Sequence, residues 1–179
     1  MQVAKNYVAN WNDMKKNGLG LLLWGLVGSG KSYMAACVAN ELIRQGADVK
    51  MTNFATVLND LFNCEDKNEY IRSLCRYSLL ILDDLGIERN TEYSLENLFN
   101  VIDARYVSGK AMIITTNLNL EELKNQKQLS LKRIYDRVLE RCIPVCVSEN
   151  DFRKDNRVEA KVKFGKIING GKMDEEKYE

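Results

Sequence analysis

The sequence predicts an α/β fold in which an open parallel sheet of five strands is flanked by helices. Short apolar runs alternate along the chain with longer segments of helical periodicity. Several of these runs are apolar at every position, which is typical of strands buried on both faces of a parallel sheet. Polar residues follow three of the runs, so we expect ligand-binding side chains at the carboxyl edge of the sheet.

The first third of the chain is predicted to form a helix, a strand and a second helix. Apolar residues close to helical spacing predict a short leading helix over residues 3–16. The continuous apolar run at 19–24 predicts a buried strand. Apolar positions three and four residues apart predict a helix over 31–45, with Gly46 as its C-cap.

The middle of the chain continues the alternation. A strand around 49–52 is expected to follow the helix, and another is expected at 79–82, where every residue is apolar. Between them, apolar segments at 54–62 and 70–75 predict two short helices, separated by the polar stretch 65–69.

The last third of the chain is predicted to supply the remaining two strands. Helices are expected at 94–107 and 131–142, and strands at 111–115 and 144–147. A final helix is expected over 151–162. The complete series contains five strands alternating with helices, as an open α/β sheet requires.

Length and composition favour a single domain. The chain has 179 residues, 45% hydrophobic and 28% charged, and we place one domain at 1–163 and a disordered tail at 164–179. No apolar stretch is long enough to span a bilayer and no signal pattern follows Met1, so a cytoplasmic protein without membrane contact is expected. The five cysteines include no C-x-x-C pair, which favours reduced, structural thiols.

Charge is nearly balanced over the whole chain. The net charge of +1 excludes a strong overall field that would attract nucleic acid. Residues 131–166 nevertheless contain ten basic and six acidic side chains. Any nucleic-acid binding driven by charge is therefore expected in the C-terminal third.

A phosphate-binding motif lies between the first buried strand and the helix after it. Residues 25–32 read GLVGSGKS and match G-x-x-x-x-G-K-[ST] at every fixed position. Glycines let several backbone N–H groups turn toward one anion, and the helix N-terminus adds positive potential. Lys31 is expected to contact the β and γ phosphates of ATP, and Ser32 to bind Mg²⁺. The predicted nucleotide-binding residues are Gly25, Leu26, Val27, Gly28, Ser29, Gly30, Lys31, Ser32 and Tyr33.

Two carboxylates end the strand predicted at 79–82. The sequence LLILDD has the Walker B arrangement, which brings an acid beside the magnesium of the phosphate-binding loop. Asp83 is the predicted metal-side acid. Asp84 is predicted to orient or deprotonate the attacking water. Because aspartate is one methylene shorter than the glutamate found there in many P-loop ATPases, we expect slow hydrolysis.

A third strand also ends in polar residues at the same edge. The segment 111–117, AMIITTN, resembles sensor 1 of the AAA+ ATPases. A side-chain amide offers a donor and an acceptor together, so Asn117 is predicted to hold the lytic water near the γ-phosphate. Thr116 is the weaker candidate for this role.

Three arginines share one face of the helix predicted at 131–142. Arg133, Arg137 and Arg141 are spaced four residues apart, as on a solvated helix face. The resemblance to AAA+ proteins implies that an arginine finger, which reaches the nucleotide of a neighbouring subunit, lies here, with Arg133 the first choice and Arg137 the alternate. The same resemblance implies that Arg153 is sensor 2, which contacts the γ-phosphate within its own subunit.

Within the AAA+ class, the sequence resembles the bacterial helicase loaders of the DnaC and DnaI family over nearly all of residues 1–163. The similarity is carried by 79–117, LLILDDLGIERNTEYSLENLFNVIDARYVSGKAMIITTN, by RIYDRV at 133–138 and by DFR at 151–153. The transposition helper ATPase IstB is similar over the same stretch.

The resemblance to helicase loaders implies a specific function and set of partners. It implies a P-loop AAA+ fold with a reduced C-terminal lid, and an oligomer that forms with ATP on single-stranded DNA to load the replicative helicase. The paired helices at 54–62 and 70–75 correspond to the insertion of initiators and loaders, which faces single-stranded DNA or the next subunit. Loaders carry an N-terminal helicase-binding domain, which we expect to be absent here.

Three other functions remain open from the sequence. A transposase helper has the same ATPase core and a different partner. A nucleotide-sensing scaffold that does not hydrolyse ATP would follow if Asp84 is too short to act. A small-molecule P-loop kinase would need an acceptor-binding base and an arginine-rich lid, and the sequence contains no recognisable example of either.

Overall fold

The computed structural model describes residues 2–86 and 91–147, and these contain one parallel five-stranded sheet with helices on both faces. The strands are β1 (Gly20–Trp24), β2 (Val49–Asn53), β3 (Leu79–Leu85), β4 (Ala111–Thr116) and β5 (Cys142–Cys146). The helices are α1 (Gln2–Ala9), α2 (Trp11–Asn17), α3 (Lys31–Arg44), α4 (Phe54–Asn63), α5 (Lys67–Leu74), α6 (Glu92–Val107), α7 (Leu120–Lys124) and α8 (Leu129–Arg141).

The strands lie in the order β2-β3-β4-β1-β5, and every pair is parallel. The predicted five-stranded parallel sheet is thereby confirmed. The order places β1, β3 and β4 in the interior, where both faces are covered. This location explains why these three strands are the most continuously apolar segments of the sequence.

Alternate residues of the interior strands enter two separate cores. In β3, Leu80 and Leu82 pack with α4–α8 on one face, whereas Leu79 and Ile81 pack with α1–α3 on the other. A strand places successive side chains on opposite faces, so a strand covered on both sides needs apolar residues at every position.

The edge strand β5 contains Pro144, paired opposite Leu22 of β1. Proline lacks the backbone N–H that a strand residue donates to a neighbouring strand. It is tolerated in an edge strand, because one side of that strand has no neighbour to accept the bond. The short predicted strand at 144–147 is therefore confirmed, beginning two residues earlier than expected.

Two predictions about the helices were wrong. The single leading helix expected over 3–16 is broken at Asn10, whose side chain donates to the carbonyl of Asn6, a local bond that competes with helix continuation. The short helix α7 was missed, although Asn119 and Glu122 form a capping box before its apolar residues. The predicted helix over 151–162 and the predicted tail at 164–179 lie outside the described residues.

The two helices between β2 and β3 form a pair held on α6. Asn53 accepts from the N–H of Thr56 and so caps α4. The hydroxyl of Tyr70 in α5 donates to Asp60 of α4 at 2.7 Å, and partial burial, followed by this bond, raises the pKa of the tyrosine. The pair of helices expected from the sequence is thus present, with its internal contacts defined.

A buried arginine joins α6 to the start of β3 and β4. Arg105 has 0% exposure and donates to the carbonyl oxygens of Leu74, Tyr77, Ser78 and Ala111. Burial lowers the pKa of its guanidinium to about 10, so the group is still charged at neutral pH. One cation therefore bonds four carbonyl groups from three segments of the chain, two of them in buried contacts.

Among the described helices, none combines the length and the apolar character needed to cross a lipid bilayer.

Candidate nucleotide-binding site

The phosphate-binding motif forms the loop between β1 and α3, at the carboxyl edge of the sheet. Gly25, Gly28 and Gly30 have φ values of 141°, 86° and 95°, which are accessible to glycine and costly for other residues. Gly30 is also the N-cap of α3, and the space that a Cβ would enter there is open to 4 Å. The motif residues therefore leave an open concave backbone at a helix N-terminus, as a bound phosphate requires.

Lys31 folds back over this loop. Its side chain is 5% exposed, and Nζ donates to the carbonyl oxygens of Gly25 at 2.9 Å and Leu26 at 2.7 Å. The ammonium charge is thus held inside the curve of the loop, close to the backbone that would receive a phosphate.

The other residues of the motif differ in exposure. Ser29 is buried, and its Oγ has no hydrogen-bond partner among the described residues, so the loop contains a polar group ready to bond a ligand. Leu26, Val27 and Tyr33 are 58%, 60% and 69% exposed, and Ser32 is partly exposed at the start of α3. An ATP–Mg²⁺ complex fits this donor set, because the loop offers backbone N–H groups, a cation and hydroxyls together.

The two acidic residues lie in a bulge of β3. Leu82 pairs with Ile114 and Leu85 pairs with Thr116, so Asp83 and Asp84 together lie opposite a single residue of β4. A bulge of this kind bends the strand and re-aims its side chains. β3 thus extends beyond the predicted strand at 79–82, because it resumes pairing after the acids.

Asp84 has an unusual backbone conformation. Its φ of 58° makes it the one non-glycine residue with positive φ in the described chain, and its side chain is exposed. Aspartate tolerates this left-handed region better than most residues, and such conformations concentrate at functional sites. The bulge therefore leaves the second carboxylate exposed to solvent.

The end of β4 brings the predicted sensor to the same edge. Trp24 of β1 pairs with Thr116, so Gly25 and Asn117 follow this pair at one level of the sheet, and the acidic bulge lies just before Leu85, opposite Thr115. Asn117 is partly exposed there. Thr116 is fully buried and donates to the carbonyl of Leu85 at 2.7 Å, which commits its hydroxyl to the sheet.

Thr115 is the residue of this edge to which the sequence reasoning assigned no role. Its hydroxyl donates to Oδ1 of Asp83 at 2.6 Å and accepts from the backbone N–H of Asp84 at 2.8 Å. The signal was present in the sequence, because two adjacent threonines end an otherwise apolar strand, and a buried hydroxyl needs a hydrogen-bond partner.

The arginines of α8 have different surroundings. Arg133 is exposed. Arg137 lies 2.7 Å from Asp103 of α6, with its guanidinium 4.6 Å from the ring centre of Phe99, and Arg141 lies 4.8 Å from the ring centre of Tyr106. Arg137 and Arg141 are thus engaged within the chain, while Arg153 lies outside the described residues.

Comparison with known proteins gives the family. The model for the IstB-like ATP binding protein family matches residues 2–160, which is most of the chain. YdaV of Escherichia coli K12 is 34% identical over 118 residues, covering 64% of this chain and 46% of the relative. Rv3427c of Mycobacterium tuberculosis, named as an ATP-binding protein in an insertion sequence, is 30% identical over 103 residues. This match covers 56% of this chain and 41% of the relative.

The helicase loader DnaC is similar both in sequence and in structure. DnaC of Escherichia coli K12 is 26% identical over 140 residues, covering 75% of this chain and 55% of the relative. The crystal structure of a DnaC helicase loader superposes with a TM-score of 0.69 at 22% identity, covering 82% of this chain and 87% of that chain. This chain spans about half the length of the curated relatives it matches. The chain therefore belongs to the family of IstB-like ATP-binding proteins and has the P-loop AAA+ fold that it shares with the DnaC helicase loaders.

Proposed function

We propose that this chain is the ATP-hydrolysing module of a protein that loads the replicative helicase onto single-stranded DNA. The observation that carries the proposal is that the phosphate-binding loop, the acidic bulge and Asn117 meet at the carboxyl edge of the sheet, where Gly25 and Asn117 follow a paired Trp24 and Thr116 and the bulge lies opposite Thr115. ATP hydrolysis needs these three groups together, because it requires phosphate binding, an acid near the metal and a held water.

ATP and Mg²⁺ would be held by the loop and the first acid. The backbone of residues 25–30 and Lys31 would bind the phosphates, with Ser29 Oγ supplying a further polar contact. Ser32 and Asp83 would hold Mg²⁺, because a hydroxyl and a carboxylate are oxygen ligands that this ion accepts. When bound, the metal neutralises charge on the β and γ phosphates.

Hydrolysis would depend on Asp84 and Asn117. The exposed Asp84 carboxylate would orient the attacking water and accept its proton, and the Asn117 amide would hold that water near the γ-phosphate. The short reach of aspartate favours slow turnover, which suits a switch better than a motor. Arg133 is the better finger candidate for a neighbouring subunit, because it is exposed while Arg137 pairs with Asp103. Arg153 stays a proposed sensor 2.

The partners of the proposed module are a replicative helicase, single-stranded DNA and further copies of the chain. Relatedness to DnaC, named a replicative helicase loader, supports the helicase as partner. Relatedness to an insertion-sequence protein favours a second candidate function, in which the partner is a transposase. The ATP site is the same in both, so the partner decides between them.

Steady-state ATP turnover with and without single-stranded DNA tests the enzyme part of the proposal. We expect slow turnover that rises with DNA and disappears in Lys31→Ala, while Lys15→Ala, a matched change of an exposed lysine on α2, keeps the wild-type rate. Tight ATP binding without turnover in either condition would instead favour a nucleotide-sensing scaffold.

Pull-down of the natural full-length protein tests the partner. We expect capture of the replicative helicase of the same cell in the presence of ATP, and loss of capture in Lys31→Ala. Capture of a transposase and no helicase would replace the loader function with the transposition one.

A further inference from the structure

The bulge in β3 is closed by a single side chain from β4. Asp83 and Asp84 lie opposite Thr115, so the regular ladder between the two strands is interrupted where the acids lie. Thr115 is fully buried, and its hydroxyl is the group that spans the interruption.

The hydroxyl of Thr115 donates one hydrogen bond to Asp83 and accepts another from Asp84. Its one proton goes to Asp83 Oδ1 at 2.6 Å, and a lone pair accepts the N–H of Asp84 at 2.8 Å. The first bond fixes the carboxylate of Asp83 through one oxygen and leaves the other oxygen for a ligand. The second bond satisfies a backbone N–H at the residue whose φ is 58°.

We infer that Thr115 is a positioning residue. It holds Asp83 in place to bind Mg²⁺ and Asp84 in place to act on the lytic water. It would act through Asp83 and Asp84 without touching the nucleotide. The inference rests on the proposed function, because it assigns Asp83 to the metal.

A variant of the neighbouring Thr116 can distinguish this positioning role from a purely structural one. The buried hydroxyl of Thr116 also stabilises the bulge, by donating to the carbonyl of Leu85 at 2.7 Å and accepting from the N–H of Leu118 at 3.2 Å. Neither of these bonds reaches Asp83 or Asp84. Thr116→Val therefore removes a comparable hydroxyl from the same bulge and leaves the contacts of Asp83 and Asp84 in place.

The test measures how strongly Mg²⁺ tightens nucleotide binding. Dissociation constants of a fluorescent, non-hydrolysable ATP analogue are measured with Mg²⁺ and with EDTA, and their ratio is compared among variants. In Thr115→Val we expect the tightening by Mg²⁺ to fall by roughly tenfold, since one hydrogen bond to a charged group is lost. Binding in EDTA is expected to stay as in the wild type.

Two further Thr115 variants and one control complete the experiment. Thr115→Ser keeps the hydroxyl and is expected to restore the wild-type ratio. Thr115→Cys keeps a weaker donor of similar size and is expected to give an intermediate ratio, which also covers the case of a valine variant that does not fold. Thr116→Val is expected to lower the melting temperature and keep the wild-type ratio.

The possible outcomes are distinct. An unchanged ratio in Thr115→Val or Thr115→Cys overturns the inference, and so does an equal fall of the ratio in Thr116→Val, which would mean that bulge stability alone matters. In both cases the wild type still binds nucleotide with Mg²⁺, and the proposed function stands. A wild-type chain that binds no nucleotide contradicts the proposed function and overturns this inference with it.

Discussion

Nε of Arg137 on α8 lies 2.7 Å from Oδ1 of Asp103 on α6, an ion pair in which the Nε–H does not point along the contact. Both side chains are about 70% buried, being 28% and 33% exposed. The guanidinium also lies 4.6 Å from the ring centre of Phe99 and 5.7 Å from that of Tyr106. The same helix face therefore holds an arginine committed to packing and, one turn earlier, the exposed Arg133.

The Arg137 contact predicts a difference in stability between two otherwise matched variants. Arg137→Ala should lower the free energy of unfolding by about 1–2 kcal/mol, through the loss of a partly buried ion pair and of cation–π contacts. Arg133→Ala, on the exposed side, should change it by no more than about 0.5 kcal/mol. Urea denaturation of both variants measures the difference, and equal effects would contradict the assignment of Arg137 to packing.

Arg133→Ala should reduce ATP turnover only where subunits contact one another. The finger would act on a neighbour's nucleotide, so the variant should bind ATP normally as an isolated chain. Mixed with Lys31→Ala subunits, which supply an intact finger and no nucleotide site, the Arg133→Ala subunits should recover turnover. If no mixing ratio restores any activity, a finger donated between subunits loses its support.

Asp84→Asn should keep nucleotide binding and stop hydrolysis. Asparagine has the same shape and also tolerates a φ of 58°, so the bulge should persist while the proton acceptor is lost. Turnover should fall by roughly a hundredfold or more. Asp84→Val serves as the strained control and should destabilise the fold by about 1–2 kcal/mol, because a β-branched residue is poorly accommodated in the left-handed region. An Asp84→Asn variant with near wild-type turnover would exclude Asp84 as the base.

Arg105→Met should be strongly destabilising. The substitution leaves two buried and two partly buried carbonyl groups without their donor, at a cost on the order of 3 kcal/mol or more. Arg76→Met is the matched control, because that side chain is 74% exposed and its ion pair to Glu69 spans 3.6 Å, so its effect should stay within about 0.5 kcal/mol. Urea denaturation of both variants measures their free energies of unfolding. Similar unfolding midpoints for Arg105→Met and Arg76→Met would show that the carbonyl groups find other donors.

Cys142 and Cys146 should differ sharply in thiol reactivity. Burial raises the pKa of the Cys142 thiol to about 12 from 9.0, so the folded state favours its protonated form. The shift in the pKa of Cys142 therefore adds to the free energy of unfolding in full below pH 9, and this stabilisation is lost as the pH rises from 9 toward 12. A thiol reagent at pH 8 should label the exposed Cys146 in the folded protein and Cys142 only after unfolding. Labelling is read at each position by peptide mass spectrometry, because Cys37, Cys64 and Cys75 are also partly exposed. Rapid labelling of Cys142 in the folded protein would contradict its burial.

Local sequence patterns were enough to predict the sheet and the position of the glycine-rich loop between β1 and α3. Strands such as β4 are apolar at every position because both faces are covered, so the run itself identifies a strand in a parallel sheet. The loop was equally readable, because its glycines occupy backbone conformations that other residues avoid, as at Gly30. The break at Asn10 was not predicted, because the helical spacing of apolar residues continues through it.

Contacts between strands distant in the chain were decided only by the tertiary structure. The sequence placed Asp83, Asp84 and Asn117 at strand ends, but the bulge that leaves Asp84 exposed depends on pairing with β4. Likewise, Thr115 contacts an acid 32 residues away, and Arg137 pairs with Asp103 on another helix. The sequence by itself thus determined the strands of the sheet and the glycine-rich loop between β1 and α3, since these follow from local periodicity and backbone preference. The tertiary structure decided which hydroxyl holds the acids and which arginine stays exposed, because those depend on the register between β3 and β4 and on the packing of α8 against α6.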